Sequence, residues 1–294
     1  TQQALTRVAS DKAQVLRTNT DAIRQELGRR IESAAKDRGA FSRVHPLPHT
    51  SDQITDAMGA SLVILDPQQT FTRGGNSPAE IAAQTMLDSV GNTPRVYRNS
   101  LIFLAADQTR YSDLEDAVCK YLAWDEILKE KEKRNLSVNQ ISQSETQKAS
   151  AEGDVEARIP ETYCHLIVPA QEEPQKPVTF ENVRLSGQGT LAVRASQRLM
   201  SSNLEMLIAD YGATMVKHDL DKIPLWRGEH GESVSIRQLV EDYSKYIYLP
   251  RLKSPEVLTT AIRLGVGIMT WETETFAYAE GYDEETGEYK GLQT

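Results

Sequence analysis

The sequence predicts an α/β fold with high helix content, in which a small, mostly parallel sheet is flanked by helices and followed by a C-terminal winged-helix-like module. Two apolar runs, residues 61–66 and 101–106, have the length of strands buried on both faces, and a helical pattern separates them. This order predicts a parallel pair joined by a helical crossover. We expect an N-terminal helix and extended linker over 1–50, an α/β region over 51–222 and the winged-helix-like module over 223–294.

The composition is that of a polar, soluble protein. Its net charge of −9 argues against a dedicated nucleic-acid binder with a wholly basic surface, but it allows one basic face. Two cysteines, Cys119 and Cys164, are too few for a disulfide scaffold and fit a reducing cytoplasm. No apolar run approaches the roughly 20 residues of a membrane span. The start has no signal-peptide core and no initiator Met, so we expect an excised fragment of a cytoplasmic protein with no membrane association.

The N-terminal elements follow from apolar spacing and proline. Apolar residues recur every three or four positions from residue 4 to residue 38, which predicts one helix that stops at Gly39. The prolines of residues 44–48 disfavour helix and predict an extended segment.

Two helices flank the central apolar run. The first, over residues 77–90, begins with Ser77 as its N-cap, Pro78 in its first position and Glu80 two residues later. The second, over residues 111–131, has a strong apolar stripe.

The middle of the chain is more mixed. Residues 135–157 are polar and predict a long exposed helix, or a helix that needs a partner. Residues 163–169 form a third apolar run of unassigned type. Residues 178–185 alternate between apolar and polar, which predicts a strand with one wet face, and residues 190–220 are helical in pattern.

The last part of the chain has the elements of a winged helix-turn-helix. A helix over 235–247, a proline corner over 249–255, a helix over 255–264 ended by Gly265, and a hairpin over 276–292 follow one another.

Charged residues surround the central apolar run. Arg95, Arg98 and Asn99 stand before it and Asp107 follows it directly, while Asp66 ends the other strand-like run. Strand ends are where α/β proteins commonly place ligands. The two arginines could reach a phosphate or the nucleotide of a neighbouring subunit, or they could form structural pairs with the two aspartates; both interpretations remain open.

Motifs for nucleotide and nucleophile chemistry are absent from the sequence. Neither GxxxxGK[ST] nor GxGxxG occurs, and no GxSxG is found. We interpret the pairs Gly74/Gly75 and Gly187/Gly189 as turn glycines. This chain is therefore not expected to be an enzyme or to bind nucleotide in the Walker manner.

We predict no metal site. The five histidines are scattered, and Cys164 and His165 would face opposite ways on a regular strand. Both cysteines are interpreted as buried structural residues.

Four basic residues, Lys245, Arg251, Lys253 and Arg263, lie on the predicted terminal helices and corner, where they could contact nucleic-acid phosphates. Residues 271–291, however, carry seven acids and one lysine, so a wing formed there would be repelled by DNA. Protein docking is an equally good interpretation of the module.

Three sequence blocks carry a family resemblance: RVYRNSLIFLAAD at 95–107, YLAW at 121–124 and YLPRL at 248–252. With the opening ALTRV and the terminal AYAEGYDEETGEYKG, they make the chain similar to the C-terminal region of large prokaryotic P-loop (AAA-like) ATPases. That region is described as a domain of unknown function. These ATPases are encoded beside DNA methyltransferases and helicases in restriction-modification-like, phage-defence clusters.

The resemblance implies that the Walker motifs lie upstream of residue 1. ATP and Mg²⁺ are then expected for the parent protein and no cofactor for this fragment. The implied partners are the remainder of the ATPase chain and defence-system proteins such as a methyltransferase or helicase, with DNA and a homo-oligomer as further candidates.

The leading hypothesis is a non-catalytic region of a defence-associated ATPase that couples nucleotide state to protein partners or DNA. The first alternative is a self-contained α/β enzyme or binding domain for a phosphorylated ligand, using Arg95, Arg98, Asp66 and Asp107. A deep pocket beside the two aspartates would support this alternative, whereas arginine pairs filling those strand ends would exclude it. The second alternative is an oligomerisation platform that uses the helix over 135–157.

Overall fold

A mixed sheet of five strands lies at the centre of the residues that the computed structural model describes, which are 2–226, 234–268, 281–283 and 285–290. The strand order is β1-β2-β5-β6-β7. The strands in chain order are β1 (Arg43–Pro46), β2 (Ser61–Ile64), β3 (Ser89–Val90), β4 (Thr93–Pro94), β5 (Leu101–Ala106), β6 (Tyr163–Ala170), β7 (Thr179–Arg184), β8 (Gly281–Asp283) and β9 (Glu288–Lys290).

The helices surround this sheet and form the C-terminal part of the chain. In order they are α1 (Gln2–Leu16), α2 (Thr20–Ala34), α3 (Pro78–Asp88), α4 (Gln108–Lys129), α5 (Val138–Thr162), α6 (Leu191–Leu199), α7 (Ala213–Lys222), α8 (Ile236–Lys245) and α9 (Pro255–Ile268). The α/β class with high helix content is confirmed.

The prediction of a mostly parallel sheet is wrong. β1, β2 and β5 are parallel, but β5 pairs antiparallel with β6, and β6 antiparallel with β7. The helices between the strands explain the difference. One helix, α3, carries the chain from β2 back to the start of β5, whereas the helical pair α4 and α5 returns it to the end it left.

Both faces of the sheet are covered. Ile102 and Leu104 of β5 belong to the apolar cluster formed with α1, α2, α4, α5 and α6. Leu101 and Phe103 belong to the opposite cluster, which includes α3. Both clusters consist of buried side chains, so β5 is the doubly buried strand that the apolar run predicts.

Two of the predicted helices are each divided. The single helix expected over 4–38 is α1 and α2, separated at Asn19, whose side chain accepts a hydrogen bond from the Ala22 amide and caps α2. The helical pattern over 190–220 is α6 and α7, with a connection between them that includes Glu205 at positive φ. Apolar periodicity continues across both breaks because each flanking helix buries an apolar face: α1 and α2 in one cluster, and α6 and α7 in two different clusters.

The polar stretch over 135–157 is ordered as most of α5, and its partner is α4. Ala151, Val155 and Ile159 of α5 are buried, and Lys148 donates to Asp125 of α4 at 2.7 Å. α5 is thus a packed helix of the same chain rather than an isolated one.

The helices α7, α8 and α9 enclose a third apolar cluster that includes Val216, Tyr243 and Ile262. α7 lies within the predicted α/β region, yet it packs with the terminal helices. α9 runs through Gly265 to Ile268, so the predicted stop at that glycine is wrong. β8 and β9 pair as a hairpin, but residues 269–280 and 291–294 lie outside the described residues, and the winged-helix arrangement stays a prediction.

The sheet has two edge strands. β1 forms one edge and ends at Pro46, and β7 forms the other, with the exposed side chains of Glu181 and Arg184. Across the described ranges, we find no helix with both the length and the apolar character of a membrane span.

Candidate functional site

Arg95 is a structural centre rather than a free cation. Its side chain is 0% exposed, and the nearest carboxylate oxygen recorded, from Asp56, is 3.9 Å away. Burial lowers the pKa of Arg95, and the charge of Asp56 opposes that effect. The guanidinium donates to the main-chain oxygens of Ser51, Ile54, Thr55, Met86 and Ser89 at 2.7–3.4 Å. It joins the end of α3 to the turn that follows β1, and it is not placed to meet a ligand.

Arg98 and Asp66 are also paired, each with another side chain. Arg98 donates to Asp88 at 2.8 Å at the protein surface. Asp66 forms an ion pair with Arg24 of α2. Asp66 and Asp107 do follow the neighbouring parallel strands β2 and β5, as predicted, but an arginine fills the Asp66 end.

Asn99 connects the sheet to the terminal helices. It is 1% exposed, and its Nδ2 donates to the main-chain oxygens of Tyr243 and Leu249 at 2.9 and 3.1 Å. In the opposite direction, Arg251 Nε donates to the main-chain oxygen of Asn99 at 2.8 Å, and Arg251 Nη2 donates to Pro169 at 2.7 Å. Burial lowers the pKa of Arg251 to about 10. This placement argues against the predicted DNA contact of Arg251.

Asp107 has two functions at the end of β5. Its Oδ1 accepts from the Thr109 amide and caps α4, and its Oδ2 lies 3.0 Å from His165 Nε2. Burial favours a higher pKa for Asp107, but hydrogen bonds from Thr109 and His165 outweigh it and lower the pKa to about 2. The carboxylate is therefore charged at any physiological pH.

His165 has an acceptor beside each ring nitrogen. Nε2 faces Asp107, and Nδ1 lies 3.1 Å from Asn182 Oδ1, while Phe71 packs on the ring at 4.5 Å between centroids. Burial favours a lower pKa, but hydrogen bonds with Cys164, Asp107 and Asn182 raise the pKa of His165. A doubly protonated ring donates to both acceptors, which explains the direction of this shift.

A β-bulge brings Cys164 beside His165. Along β5 and β6, Ala105 pairs with His165 and Ala106 with Tyr163, so Cys164 is the extra residue. The expectation that the two side chains face opposite ways is therefore wrong. Side chains do not alternate regularly between the two faces of a sheet at a bulge. In the sequence, the only indication of this group is that Cys164 and His165 are adjacent.

Asp107, Cys164 and His165 form a group that could hold a metal ion. One ligand atom of each lies within 4.8 Å of the others, and a carboxylate, thiolate and imidazole suit Zn²⁺. The carboxylate and the imidazole are already satisfied by each other, by Thr109 and by Asn182. The ion pair accounts for the geometry without a metal.

The remaining predicted nucleic-acid contacts lie on the terminal helices and corner. Lys245 and Arg263 are exposed, and Lys253 is half-buried. The Lys245 ammonium lies 5.3 Å from the centre of the Tyr246 ring. These three cations, unlike Arg251, are available to a partner.

No family model matches the chain, and neither the curated proteins nor the solved structures compared with it give a match.

Proposed function

We propose that this chain is a non-catalytic region of a defence-associated P-loop ATPase, and that it couples the nucleotide state of the ATPase to a partner bound by the α7–α9 module. The observation that carries the proposal is the buried exchange of hydrogen bonds between Asn99 and the corner at Leu249 and Arg251. It lies within the first and third sequence blocks of the family resemblance, and it gives those blocks a physical reason to occur together.

The connection suits a coupling element. Its donors and acceptors are buried, so breaking it would leave polar groups without water or protein partners. A second connection reinforces it, because Ala60 donates to the Lys253 main-chain oxygen and Ile208 forms a bridge with Leu252. Displacement at the start of β2 or β5 would thus be transmitted to the module.

The nucleotide is assigned to the rest of the parent protein. The sequence has no Walker loop, so ATP and Mg²⁺ would bind upstream, and this fragment would need no cofactor of its own. The partners would be the remainder of the ATPase chain and a methyltransferase, helicase or DNA in the cytoplasm.

Binding to a short duplex DNA, followed by fluorescence anisotropy at low and moderate salt, tests the nucleic-acid form of this proposal. Contacts from Lys253 and Arg263 to phosphate predict weak binding that decreases with salt and falls about tenfold or more on K253E/R263E charge reversal. Lys36→Glu is the control, because Lys36 is an exposed lysine at the end of α2. No binding at low salt, or equal loss in the control, would exclude the DNA contact and favour protein docking.

The two alternatives have less support. An enzyme built on Arg95, Arg98, Asp66 and Asp107 would need free charges, but each of these side chains is occupied by a neighbour. An oligomerisation platform on residues 135–157 has less to carry it, because one face of α5 packs along α4 and the exposed face is mostly polar.

A further inference from the structure

Three arginines line a cleft on the side of the molecule where β7 leads into α6. The cleft has a volume of about 450 Å³, within the range of small-molecule sites. Arg110 comes from the first turn of α4, Arg184 ends β7, and Arg194 lies on the first turn of α6. The lining also includes Glu161, but the three arginines outnumber this one carboxylate, and the charge of the cleft is therefore predominantly positive.

The guanidinium groups of this cleft keep unused donors. Arg110 Nη1 and Arg194 Nη1 donate to the main-chain oxygens of Glu161 and Pro160, in the last turn of α5, at 3.5 and 3.1 Å. Helix C-termini attract cations, which accounts for part of this arrangement. It does not account for Arg194 Nε, which is buried and has no hydrogen-bond partner among the described residues, in a side chain that is 7% exposed. A buried donor without an acceptor is costly, and a shift of the Arg194 guanidinium toward a ligand oxygen in the cleft would relieve that cost.

The loop beside the arginines permits close approach of a ligand. Gly187 and Gly189 have φ of +95° and +110°, and a Cβ on Gly187 would meet nothing within 4 Å. With Ala192 they give the pattern GxGxxA between a strand and a helix, the local arrangement that brings phosphates to a helix N-terminus. β7 is antiparallel, so this is not a Rossmann unit. Asp37 accepts from Thr190 at the same helix end, so the arginines carry the argument.

We propose that this cleft binds a small phosphorylated molecule. Guanidinium forks match phosphate oxygens in pairs, and the cleft combines the predominantly positive lining, the unused Arg194 donor and an open glycine loop. The site is separate from the basic residues of the α7–α9 module, and it contains neither Arg95 nor Arg98.

Calorimetric titration with inorganic pyrophosphate, at constant ionic strength set with chloride, tests the proposal. We expect one saturable site, and about tenfold weaker binding in Arg184→Gln, because an exposed charged donor is removed with little effect on the fold. Glu161→Gln should bind more tightly, since it removes the lining carboxylate. Arg237→Gln, on α8 and 90% exposed, should bind as wild type does.

Three results would overturn the assignment. These are no saturable binding in wild type, equal affinity of the Arg184→Gln variant and wild type, or an equal loss in the Arg237→Gln control. Displacement of pyrophosphate by a short oligothymidylate at comparable concentration would instead assign the cleft to nucleic acid and refute the small-molecule ligand.

Discussion

The Nε atom of Arg251 lies 2.8 Å from the main-chain oxygen of Asn99, and the side chain of Asn99 reaches back to the main-chain oxygen of Leu249 at 3.1 Å. Arg251 thus donates to the main chain at Asn99, and Asn99 donates to the main chain beside Arg251. The two positions are 152 residues apart in the sequence and hold the start of β5 against the terminal corner.

Replacement of Arg251 should weaken the whole fold. Arg251→Met leaves the Asn99 and Pro169 oxygens without their donor, and we expect a loss of about 1–3 kcal/mol in the free energy of unfolding. Arg251→Lys should recover only part, because an ammonium lacks the guanidinium's forked geometry. Urea denaturation measures both. Wild-type stability of the methionine variant would show that the connection is not needed.

Arg95 and Arg98 should behave differently when each is changed to Met. We expect Arg95→Met to lose about 1–3 kcal/mol or more, because five main-chain oxygens lose a buried donor. Arg98→Met removes a half-exposed ion pair with Asp88 and should lose at most about 1 kcal/mol. Equal and small losses in both variants would support the ligand-binding interpretation of the two arginines that the structure disfavours.

The pH dependence of stability should identify His165. Its pKa is raised above the ordinary 6.5 in the folded state, so its contribution is complete below that pH and is lost as pH rises through the folded pKa. Asp107, with a pKa of about 2, stays charged over this range. The stability difference between wild type and His165→Gln should therefore shrink from pH 6 to pH 9. The lowered pKa of His45 acts in both proteins and cancels. A difference that grows with pH would contradict the assignment.

Gly39 and Gly153 form a matched pair for a backbone test. A Cβ at Gly39 would lie 2.7 Å from Ser196 Oγ and 2.8 Å from the Ala192 oxygen, at a φ of +54°, so Gly39→Ala should destabilise by more than about 1 kcal/mol. At Gly153, inside α5, a Cβ meets nothing within 4 Å, and alanine should stabilise by about 0.5–1 kcal/mol. Thermal unfolding of both variants measures this contrast, and equal effects would refute it.

The sequence was most informative where one local interaction decides the structure. The capping box of Ser77 and Glu80, with Pro78 in the first turn, starts α3 at the predicted residue. The apolar run at 101–106 is a strand covered on both faces.

The candidate site depended on long-range contacts that spacing does not encode. The direction of β6 depends on the number of helices before it, and the approach of Cys164 to His165 depends on a bulge. Arginine is a residue type that commonly binds ligands. The side chains of Arg95 and Arg251 nevertheless donate to main-chain oxygens in distant parts of the chain. Arg184 and Arg194 are ten residues apart and share a cleft because a short glycine-containing loop joins β7 to α6.

The two edge strands of the sheet influence whether copies of the chain can associate by pairing strand to strand. An exposed strand edge invites addition of a further strand and, from there, aggregation. Pro46 ends β1 with a residue that lacks an amide donor, and Glu181 and Arg184 place charges along β7. Contact between sheets is therefore disfavoured at both edges, which leaves the helical surfaces as the faces open to association with another chain.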